Sequence, residues 1–339
     1  MKTLTISIAA YNVEKFLPKT LAELADERLS KYIEVLIIDD GSKDKTGLIA
    51  SEYQSKYPNV FKYIAKPNGG HGSTINKGMQ LATGKYFRIL DGDDSLDVDN
   101  LLLQLERMNQ YDEDMFISDF RSITSSGKRY IDTYVMKNGK SIFELLNDNE
   151  VYAMNDNIPG MEIIGLSTLS IKTELLKRHP FSITEKCYYV DIEFVVYCMA
   201  LANNFRFFSK PVYLYLQDEN GGNSINKENM KKNIIMQETV SNKLLSIYQE
   251  LKKNKMLINK EYIIEQRIIA TISATIRTYL LMDNATRKIK DFEKIINKKS
   301  IDIFYKMNRS LFMRVLRSGN YILVPLVAFA YRCYVKWKY

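Results

Sequence analysis

Strand patterns alternate with helical patterns over roughly the first 100 residues, and this alternation constrains the fold more than any other feature. The strand-like runs, rich in apolar and β-branched residues, lie at positions 4–11, 33–40, 60–67 and 85–94. The segment after the first run places Phe16, Leu17, Leu21 and Leu24 at helical spacing. Strands separated by helices predict an α/β domain in which helices flank a mainly parallel sheet.

The pattern changes twice later in the chain. Residues 205–216, FRFFSKPVYLYL, predict a pair of late strands, whereas helical patterns dominate after Asn226, where glycine is rare. Between them, residues 218–224 (DENGGNS) form a polar, glycine-containing junction. We therefore predict an α/β domain over residues 1–220 and a mostly α-helical C-terminal region over residues 221–339.

Charge is divided unevenly between these two parts. The chain has a formal net charge of +8, but residues 1–220 carry 25 basic and 31 acidic side chains, and residues 221–339 carry 23 and 9. Residues 1–220 therefore have a net charge of about −6, and residues 221–339 have a net charge of about +14. The basic excess of the second part could face nucleic acid or an anionic membrane surface.

The end of the chain, residues 321–339, combines an apolar run with tyrosine, tryptophan and lysine. Pro325 interrupts the run, which is shorter than the roughly 20 apolar residues that a membrane-spanning helix needs. This segment suits either an interfacial position on a membrane or docking on its own protein.

The cysteines indicate the redox compartment. Cys187, Cys198 and Cys333 are scattered, so they give neither a disulfide framework nor a zinc-binding spacing. The amino terminus, MKTLTISIAAYN, lacks the long apolar core of a signal peptide. These features favour a reducing, cytoplasmic location.

Acidic residues follow two of the predicted strands. Asp39 and Asp40 end the second run, and Asp91, Asp93 and Asp94 end the fourth. Ligands of open α/β sheets bind beyond the carboxyl ends of the strands. The acids could be solvated turn residues, but paired carboxylates at such an edge fit Mg²⁺ or Mn²⁺ better, together with a phosphorylated ligand.

Four motifs occur in order: SIAAYN after the first strand, VLIIDDGSKDKT at the second, NGGHGSTINKG in a loop and LDGDD at the fourth. Together they resemble the family 2 glycosyltransferases, inverting enzymes with the GT-A nucleotide-sugar-binding fold. The resemblance covers roughly the first 100 residues and continues more weakly to about Ile225.

The resemblance implies a site for a nucleotide-sugar donor. Ala9 and Tyr11 would line the base pocket, with Tyr11 stacking on the base, while Asp39 and Asp40 would accept hydrogen bonds from uracil or ribose. The loop would contribute three further donor-binding residues, which are Asn68, Gly70 and His71. An isoleucine, Ile75, stands where family members often have an arginine, and His71 could equally be a solvated loop residue.

The LDGDD segment matches the DxD motif of the family. Asp93 would bind Mn²⁺ or Mg²⁺ bridging the diphosphate, and Asp91 would hold the metal, its water or the ribose. Gly92 lies between them, and Asp94 would approach the sugar or support the motif.

The segment YYVDIEFVV resembles the family's catalytic-base region. Asp191 would deprotonate the acceptor hydroxyl, with Glu193 nearby. Val190 departs from the pattern, since the family often has an acid there, and an ordinary helix-start acid is the alternative reading of Asp191.

The resemblance therefore implies a metal-dependent transferase that moves a hexosyl or N-acetylhexosaminyl group from a nucleotide sugar, UDP-linked by preference. The acceptor would be a glycan, lipid-linked or glycoprotein hydroxyl in surface-polysaccharide assembly at the inner membrane face. The sequence leaves open a nucleic-acid-binding protein with a basic tail and a catalytically inactive relative. A homodimer through the C-terminal helices is also open, and nucleic acid is not among the expected partners of the enzyme.

Overall fold

The computed structural model describes residues 1–124, 129–130, 146–156, 158, 161, 164–217 and 227–338. The chain falls into two compact units, Met1–Asn220 and Gly221–Tyr339. The predicted junction at residues 218–224 lies outside the described residues. The functions that the sequence suggests for the two parts stay predictions.

The first unit combines one sheet with helices. Its described strands are β1 (Leu4–Ala10), β2 (Ile33–Asp39), β3 (Phe61–Ala65), β4 (Tyr86–Asp91), β5 (Ser95–Leu96), β6 (Met115–Thr124), β7 (Arg129–Tyr130), β8 (Val151–Ala153), β9 (Leu169–Lys172) and β10 (Asn204–Gln217). Its described helices are α1 (Leu17–Leu24), α2 (Thr46–Lys56), α3 (His71–Leu81), α4 (Val98–Gln110), α5 (Thr173–Arg178) and α6 (Asp191–Leu201). The strand order across the sheet is β3-β2-β1-β4-β9-β6-β10-β5, while β7 pairs with β6 and β8 pairs with β10.

Strand β1 lies at the centre of a parallel group, because β2 and β4 pair with its two edges and β3 pairs with β2. Every residue of β2 is buried, as expected for a parallel strand covered on both faces. The register sets Ala10 beside Asp39 and Ala9 beside Asp91. The carboxyl ends of β1, β2 and β4 therefore meet at one edge of the sheet.

Beyond β4 the sheet is mixed, because β9 runs antiparallel to β4 and β6 whereas β10 runs parallel to β6. The predicted pair of late strands is wrong, since residues 205–216 belong to the single strand β10. Its register against β6 shifts between Phe208 and Pro211 and again between Pro211 and Tyr213. The strand bulges at Pro211 and then continues. Proline is found both at bulges and in turns, so the sequence pattern of this bulge resembled that of a turn between two strands.

The second unit is helical in its described part. Its helices are α7 (Lys227–Lys232), α8 (Ile234–Lys253), α9 (Glu261–Leu280), α10 (Ala285–Lys299), α11 (Ile301–Lys306), α12 (Leu311–Arg317) and α13 (Val324–Lys338). Helices α8 and α9 pack together, and the buried Tyr248 hydroxyl donates to Glu265 Oε1 at 2.6 Å. Within the described residues, no helix has both the length and the apolar character needed to cross a membrane.

Candidate active site

The ends of β1 and β4 meet at the acidic edge of the sheet. The Gly92 N–H donates to Ala9 O at 3.0 Å, directly after the last paired residue of β4, Asp91. A Cβ at position 92 would lie 2.7 Å from Ala9 O, so only glycine fits this approach. Tyr11 follows β1, and 47% of its surface is exposed, which leaves its ring accessible for stacking.

Asp39 ends β2 and is buried. Its Oδ1 accepts from the Ser42 N–H at 2.8 Å, and its Oδ2 accepts from the Tyr63 hydroxyl at 3.0 Å. Burial raises the pKa of Tyr63, and the Asp39 carboxylate adds to the effect. In this structure Asp39 therefore holds the turn that follows β2 against β3.

Asp40 anchors the glycine-rich loop. Its side chain is only 4% exposed, and it accepts from the Gly69 N–H at 2.9 Å and the Gly70 N–H at 2.7 Å. The Lys66 ammonium lies 2.5 Å from Asp40 Oδ1 and also donates to Ser73 Oγ at 2.7 Å. Both carboxylate oxygens are thus engaged by the loop, and this structure places Asp40 as its support.

The backbone of the same loop is fixed by two further features. The Asn68 side-chain amide donates to Asp40 O at 3.0 Å. Gly70 has a φ of +79°, a left-handed conformation that favours glycine, and it immediately precedes α3. The loop therefore presents the start of α3 to the acidic edge in one conformation.

The segment before α6 lies directly against α3. The Lys186 N–H donates to Gly69 O at 2.6 Å, and Asn76 exchanges hydrogen bonds with Ile183 through both atoms of its side-chain amide, at 2.8 and 2.9 Å. A Cβ at Gly72 would lie 2.0 Å from Thr184 O. This contact sets the position of the segment that leads to Asp191, the first residue of α6.

Glu193 supports the same segment. It is buried, and its Oε2 accepts from the Thr184 N–H at 2.9 Å. Burial raises the pKa of the Cys187 thiol to about 11, and the charge of Glu193 contributes. Glu193 therefore ties the beginning of α6 to the chain that crosses α3.

His71, the first residue of α3, contacts one carboxylate and is influenced by the charges of two more. Its Nε2 is 3.1 Å from Asp91 Oδ1. Burial would lower the pKa of His71, but the charges of Asp91, Asp191 and Asp40 together raise it. The structure thus brings the imidazole, the DxD segment and the candidate base into one electrostatic group.

The three acids after β4 differ in their surroundings. Burial opposes ionisation of Asp91, but the His71 charge lowers the pKa of its carboxyl. Asp93 is an exposed residue, but its carboxyl group is partly buried. This burial and the negative charge of Asp91 both raise the pKa of the Asp93 carboxyl. Asp91 and Asp93 therefore repel each other, and a cation between them would relieve that repulsion.

Asp94 is the buried member of the group. Its Oδ2 accepts from the Tyr213 hydroxyl at 2.5 Å and its Oδ1 from the Leu216 N–H at 2.7 Å, and both donors belong to β10. Burial, with the charges of Asp91 and Asp93, raises the pKa of Asp94 well above its usual value. Asp94 therefore links the acidic turn to β10 by hydrogen bonds and stabilises the conformation of the DxD segment.

The donor set at this edge suits a hard divalent cation. Across the part of the chain that the structure describes, no three His, Cys, Asp or Glu side chains converge as metal ligands. Asp91 and Asp93 could supply two carboxylates, and the remaining positions of Mg²⁺ or Mn²⁺ would then fall to phosphate oxygens and water.

The structure brings the predicted donor residues to one edge of the sheet. They are Ala9, Tyr11, Asp39, Asp40, Asn68, Gly70, His71, Asp91, Gly92, Asp93 and Asp94. The sequence reasoning missed Lys66, Ser73 and Tyr213, which support this edge. A lysine just before a glycine-rich loop was a usable signal, whereas the role of Tyr213 depends on pairing between distant strands.

The family model described as "Glycosyl transferase family 2" matches residues 5–167. An uncharacterized glycosyltransferase of Mycoplasma pneumoniae is 36% identical over 141 residues, covering 40% of this chain and 45% of that protein. The minor teichoic acid biosynthesis protein GgaB of Bacillus subtilis is 35% identical over 91 residues, covering 26% of this chain and 10% of that protein. The chain thus spans less than half the length of these curated relatives.

Among solved structures, S. aureus TarS residues 1–349 in complex with UDP superposes with a TM-score of 0.66. The match covers 98% of this chain and 92% of that chain at 17% sequence identity. It confirms the predicted GT-A fold followed by a helical region. The family model and the curated relatives together identify residues 5–167 of this chain as a glycosyl transferase family 2 domain.

Proposed function

We propose that the chain is an inverting glycosyltransferase that moves a hexosyl or N-acetylhexosaminyl group from a nucleotide sugar to a hydroxyl group. The observation that carries this proposal is the edge where Asp91 and Asp93 meet the glycine-rich loop and His71. The match of residues 5–167 to the family 2 model supports it. We take UDP-sugars as the first donors to test, because the TarS structures contain UDP or UDP-GlcNAc.

The donor would bind across the carboxyl ends of β1, β2 and β4. Tyr11 would stack on the base, while Ala9 and Gly92 would form the floor of the pocket, since their backbones are in direct contact. Asp40 would act mainly by holding the Gly69 and Gly70 backbone in place. Asp91 and Asp93 would hold Mn²⁺ or Mg²⁺, and the bound ion would supply positive charge to offset the charge on the leaving diphosphate.

Transfer would proceed in one displacement. Asp191 accepts the proton of the acceptor hydroxyl, the hydroxyl oxygen forms a bond to the anomeric carbon, and the bond from that carbon to the diphosphate breaks. The electron pair of the broken bond leaves with the diphosphate. Attack opposite to the leaving group inverts the anomeric configuration. The crossing of α3 by the segment before α6 would fix the distance between base and donor.

The setting that we propose is assembly of a bacterial surface polysaccharide or glycoconjugate in the cytoplasm, at the inner face of the membrane. The name of GgaB, a minor teichoic acid biosynthesis protein, supports this setting. A glycan or a lipid-linked saccharide would then be the acceptor. A catalytically inactive relative is the alternative, and the retention of Asp91, Asp93 and Asp191 argues against it.

A donor screen tests the proposal. The protein is incubated with UDP-Glc, UDP-Gal, UDP-GlcNAc, UDP-GalNAc and GDP-Man, with Mn²⁺ or EDTA, and both nucleotide release and UDP or GDP binding are measured. We expect release from one donor, lost with EDTA and in Asp93→Ala. Asp99→Ala is the matched control, because its side chain is 79% exposed and pairs with Arg28. Absence of both release and metal-dependent nucleotide binding would overturn the proposal.

A further inference from the structure

Helix α13 of the second unit carries an apolar stripe that faces away from its packing side. Its buried residues, Val324 and Ala328, lie on the side that packs on α9 and α10. Ile322, Leu326 and Phe329, at helical spacing across the start of α13, are 73%, 66% and 68% exposed. One apolar side of α13 is buried within the unit, and its other apolar side is exposed to solvent. An exposed apolar side of this kind is typical of a surface that binds a further apolar partner.

The packing side of α13 is firmly attached. The Arg332 guanidinium donates from Nε to Leu280 O at 2.8 Å and from its terminal nitrogen to Met282 O at 2.5 Å. Leu280 is the last residue of α9 and Met282 lies two residues beyond it, so the cation is at the helix end that the dipole favours. Arg332 therefore orients the helix, and the exposed stripe is a consequence of the fold of this unit.

A basic surface adjoins this stripe. One cleft is lined by Phe329 together with Asn284 and Thr286, and the next cleft is lined by the same Asn284 and Thr286 with Arg287 and Lys294. The side chains of Arg287 and Lys294 are 87% and 77% exposed. Apolar and cationic groups thus lie side by side at the start of α10.

The acidic groups near this surface do not cancel its charge. Asp291 lies 3.1 Å from Lys294 and 3.8 Å from Arg287, and Glu293 is buried against Arg317. Asp283 also lines the cleft that contains Phe329. The two clefts hold four cations against the two exposed acids Asp283 and Asp291, and the cations are Arg287, Lys290, Lys294 and Arg332. The surface therefore keeps a positive excess.

We propose that the surface formed by Ile322, Leu326 and Phe329 with the basic face of α10 docks on an anionic lipid bilayer. The apolar side chains enter the boundary between headgroups and acyl chains, and the basic side chains reach lipid phosphates. The net charge of about +14 over residues 221–339 complements such a bilayer.

A second copy of this chain fits the same surface less well. A two-fold interface brings the same patch of both copies together, so the basic faces of the two α10 helices would approach each other. Like charges across an interface oppose association, whereas anionic lipid neutralises them. The charge of the surface therefore selects the bilayer as its occupant.

Vesicle binding by the full chain tests this inference, and it needs no sugar transfer. Sedimentation with phosphatidylcholine vesicles is compared with vesicles that also contain phosphatidylglycerol, at low and high salt. We expect binding to the anionic vesicles that weakens with salt. Arg287→Gln with Lys294→Gln should weaken it roughly 25-fold, because each basic side chain at an anionic surface contributes a factor of about five.

The apolar half is tested with Leu326→Gln and Phe329→Gln together, which should reduce binding by about tenfold or more. Ile235→Gln with Ile258→Gln is the matched apolar control, at positions 72% and 64% exposed, and Lys232→Gln with Lys253→Gln is the charge control. The apolar control should leave vesicle binding unchanged. The charge control should weaken binding only as far as the loss of two positive charges lowers the overall attraction to anionic vesicles.

A fluorophore on Cys333 gives an independent readout, because Cys333 is exposed and Cys187 and Cys198 are buried. Its emission should shift to shorter wavelength with anionic vesicles. Equal binding to neutral vesicles, or no binding to anionic ones, would overturn the proposal. So would a dimer in solution that the Leu326 and Phe329 substitutions dissociate without any effect on vesicles.

Discussion

His71 Nε2 lies 3.1 Å from Asp91 Oδ1, so the start of α3 contacts the first acid of the DxD segment directly. Burial alone would lower the pKa of His71 and raise that of Asp91. The negative charge of Asp91 instead raises the pKa of His71, and the positive charge of His71 lowers that of Asp91. The ion pair therefore stabilises the fold between the lowered pKa of Asp91 and the raised pKa of His71. Its contribution is lost as pH falls below the first or rises above the second.

The first prediction follows from this pair. In Asp91→Asn the pKa of His71 should fall, because burial lowers it and one of the carboxylates that raise it has been removed. Imidazole NMR signals followed against pH measure this change. The chain has two histidines, so the exposed His179 gives the second imidazole signal in the spectra. An unchanged His71 titration in the variant would show that the contact is not an ion pair.

The second prediction concerns Lys66, which lies 2.5 Å from Asp40 Oδ1. Lys66→Met removes the cation but leaves a carboxylate that is only 4% exposed, so we expect a loss of about 1–3 kcal/mol in the free energy of unfolding. The Gly69–Gly70 backbone should loosen, and donor affinity should fall with it. Urea unfolding and nucleotide titration measure the two effects.

Lys62→Met is the matched control for this change. Lys62 also pairs with a buried acid, Glu34, at 3.1 Å, but its own side chain is 54% exposed and it lies away from the loop. It should lose less stability and keep its donor affinity. Equal loss of donor affinity in both variants would mean that Lys66 acts through general stability and not through the loop.

The sheet edge could be predicted from the sequence, whereas its internal supports could not. Acids after apolar runs were enough to expect Asp39 and Asp91 at one edge, because parallel strands align their carboxyl ends. The hydrogen bonds of Asp40 depend on how a distant loop folds over it. Similarly, the contact between Asn76 and Ile183 joins residues 107 positions apart, and no local pattern encodes it.

The third prediction is that Gly72→Ala disrupts the approach of α3 to the segment before α6. In an open helix this change would stabilise the protein by about 1 kcal/mol through helix propensity. Here the new Cβ would lie 2.0 Å from Thr184 O, a backbone atom, so we expect destabilisation and a lower kcat as Asp191 shifts.

Gly69→Ala is the comparison for this variant. Its Cβ would lie 2.7 Å from Ser73 Oγ and 2.8 Å from Ser73 Cβ. Both approaches are longer than the 2.0 Å approach at position 72 and involve no backbone atom, so the effect on thermal unfolding should be smaller. A Gly72→Ala protein that is more stable than the parent would contradict the close packing of α3 on residues 183–186.

The last prediction is a pH dependence of stability at Asp119 in β6. Burial raises the pKa of its carboxyl to about 6, although the Phe120 N–H at 2.7 Å and Arg121 favour the charged form. The folded state therefore binds this proton more tightly than the unfolded state, whose Asp pKa is about 3.9. Stability from this group is complete below about pH 4 and is lost as pH rises through about pH 6.

Asp119→Asn should remove this loss, so the variant should gain on the parent by about 1–2 kcal/mol between about pH 4 and about pH 7, after allowance for solvent screening. Asp112→Asn is the control of opposite sign, because hydrogen bonds from Lys85 and Lys172, at 3.1 and 3.2 Å, hold the pKa of Asp112 low. Replacing Asp112 should lower the free energy of unfolding at pH values above the pKa of Asp in the unfolded state. It should have no such effect at pH values below the pKa of Asp112 in the folded state. Urea unfolding at a series of pH values measures both, and parallel profiles for Asp119→Asn and the parent would show that Asp119 is not the group that titrates.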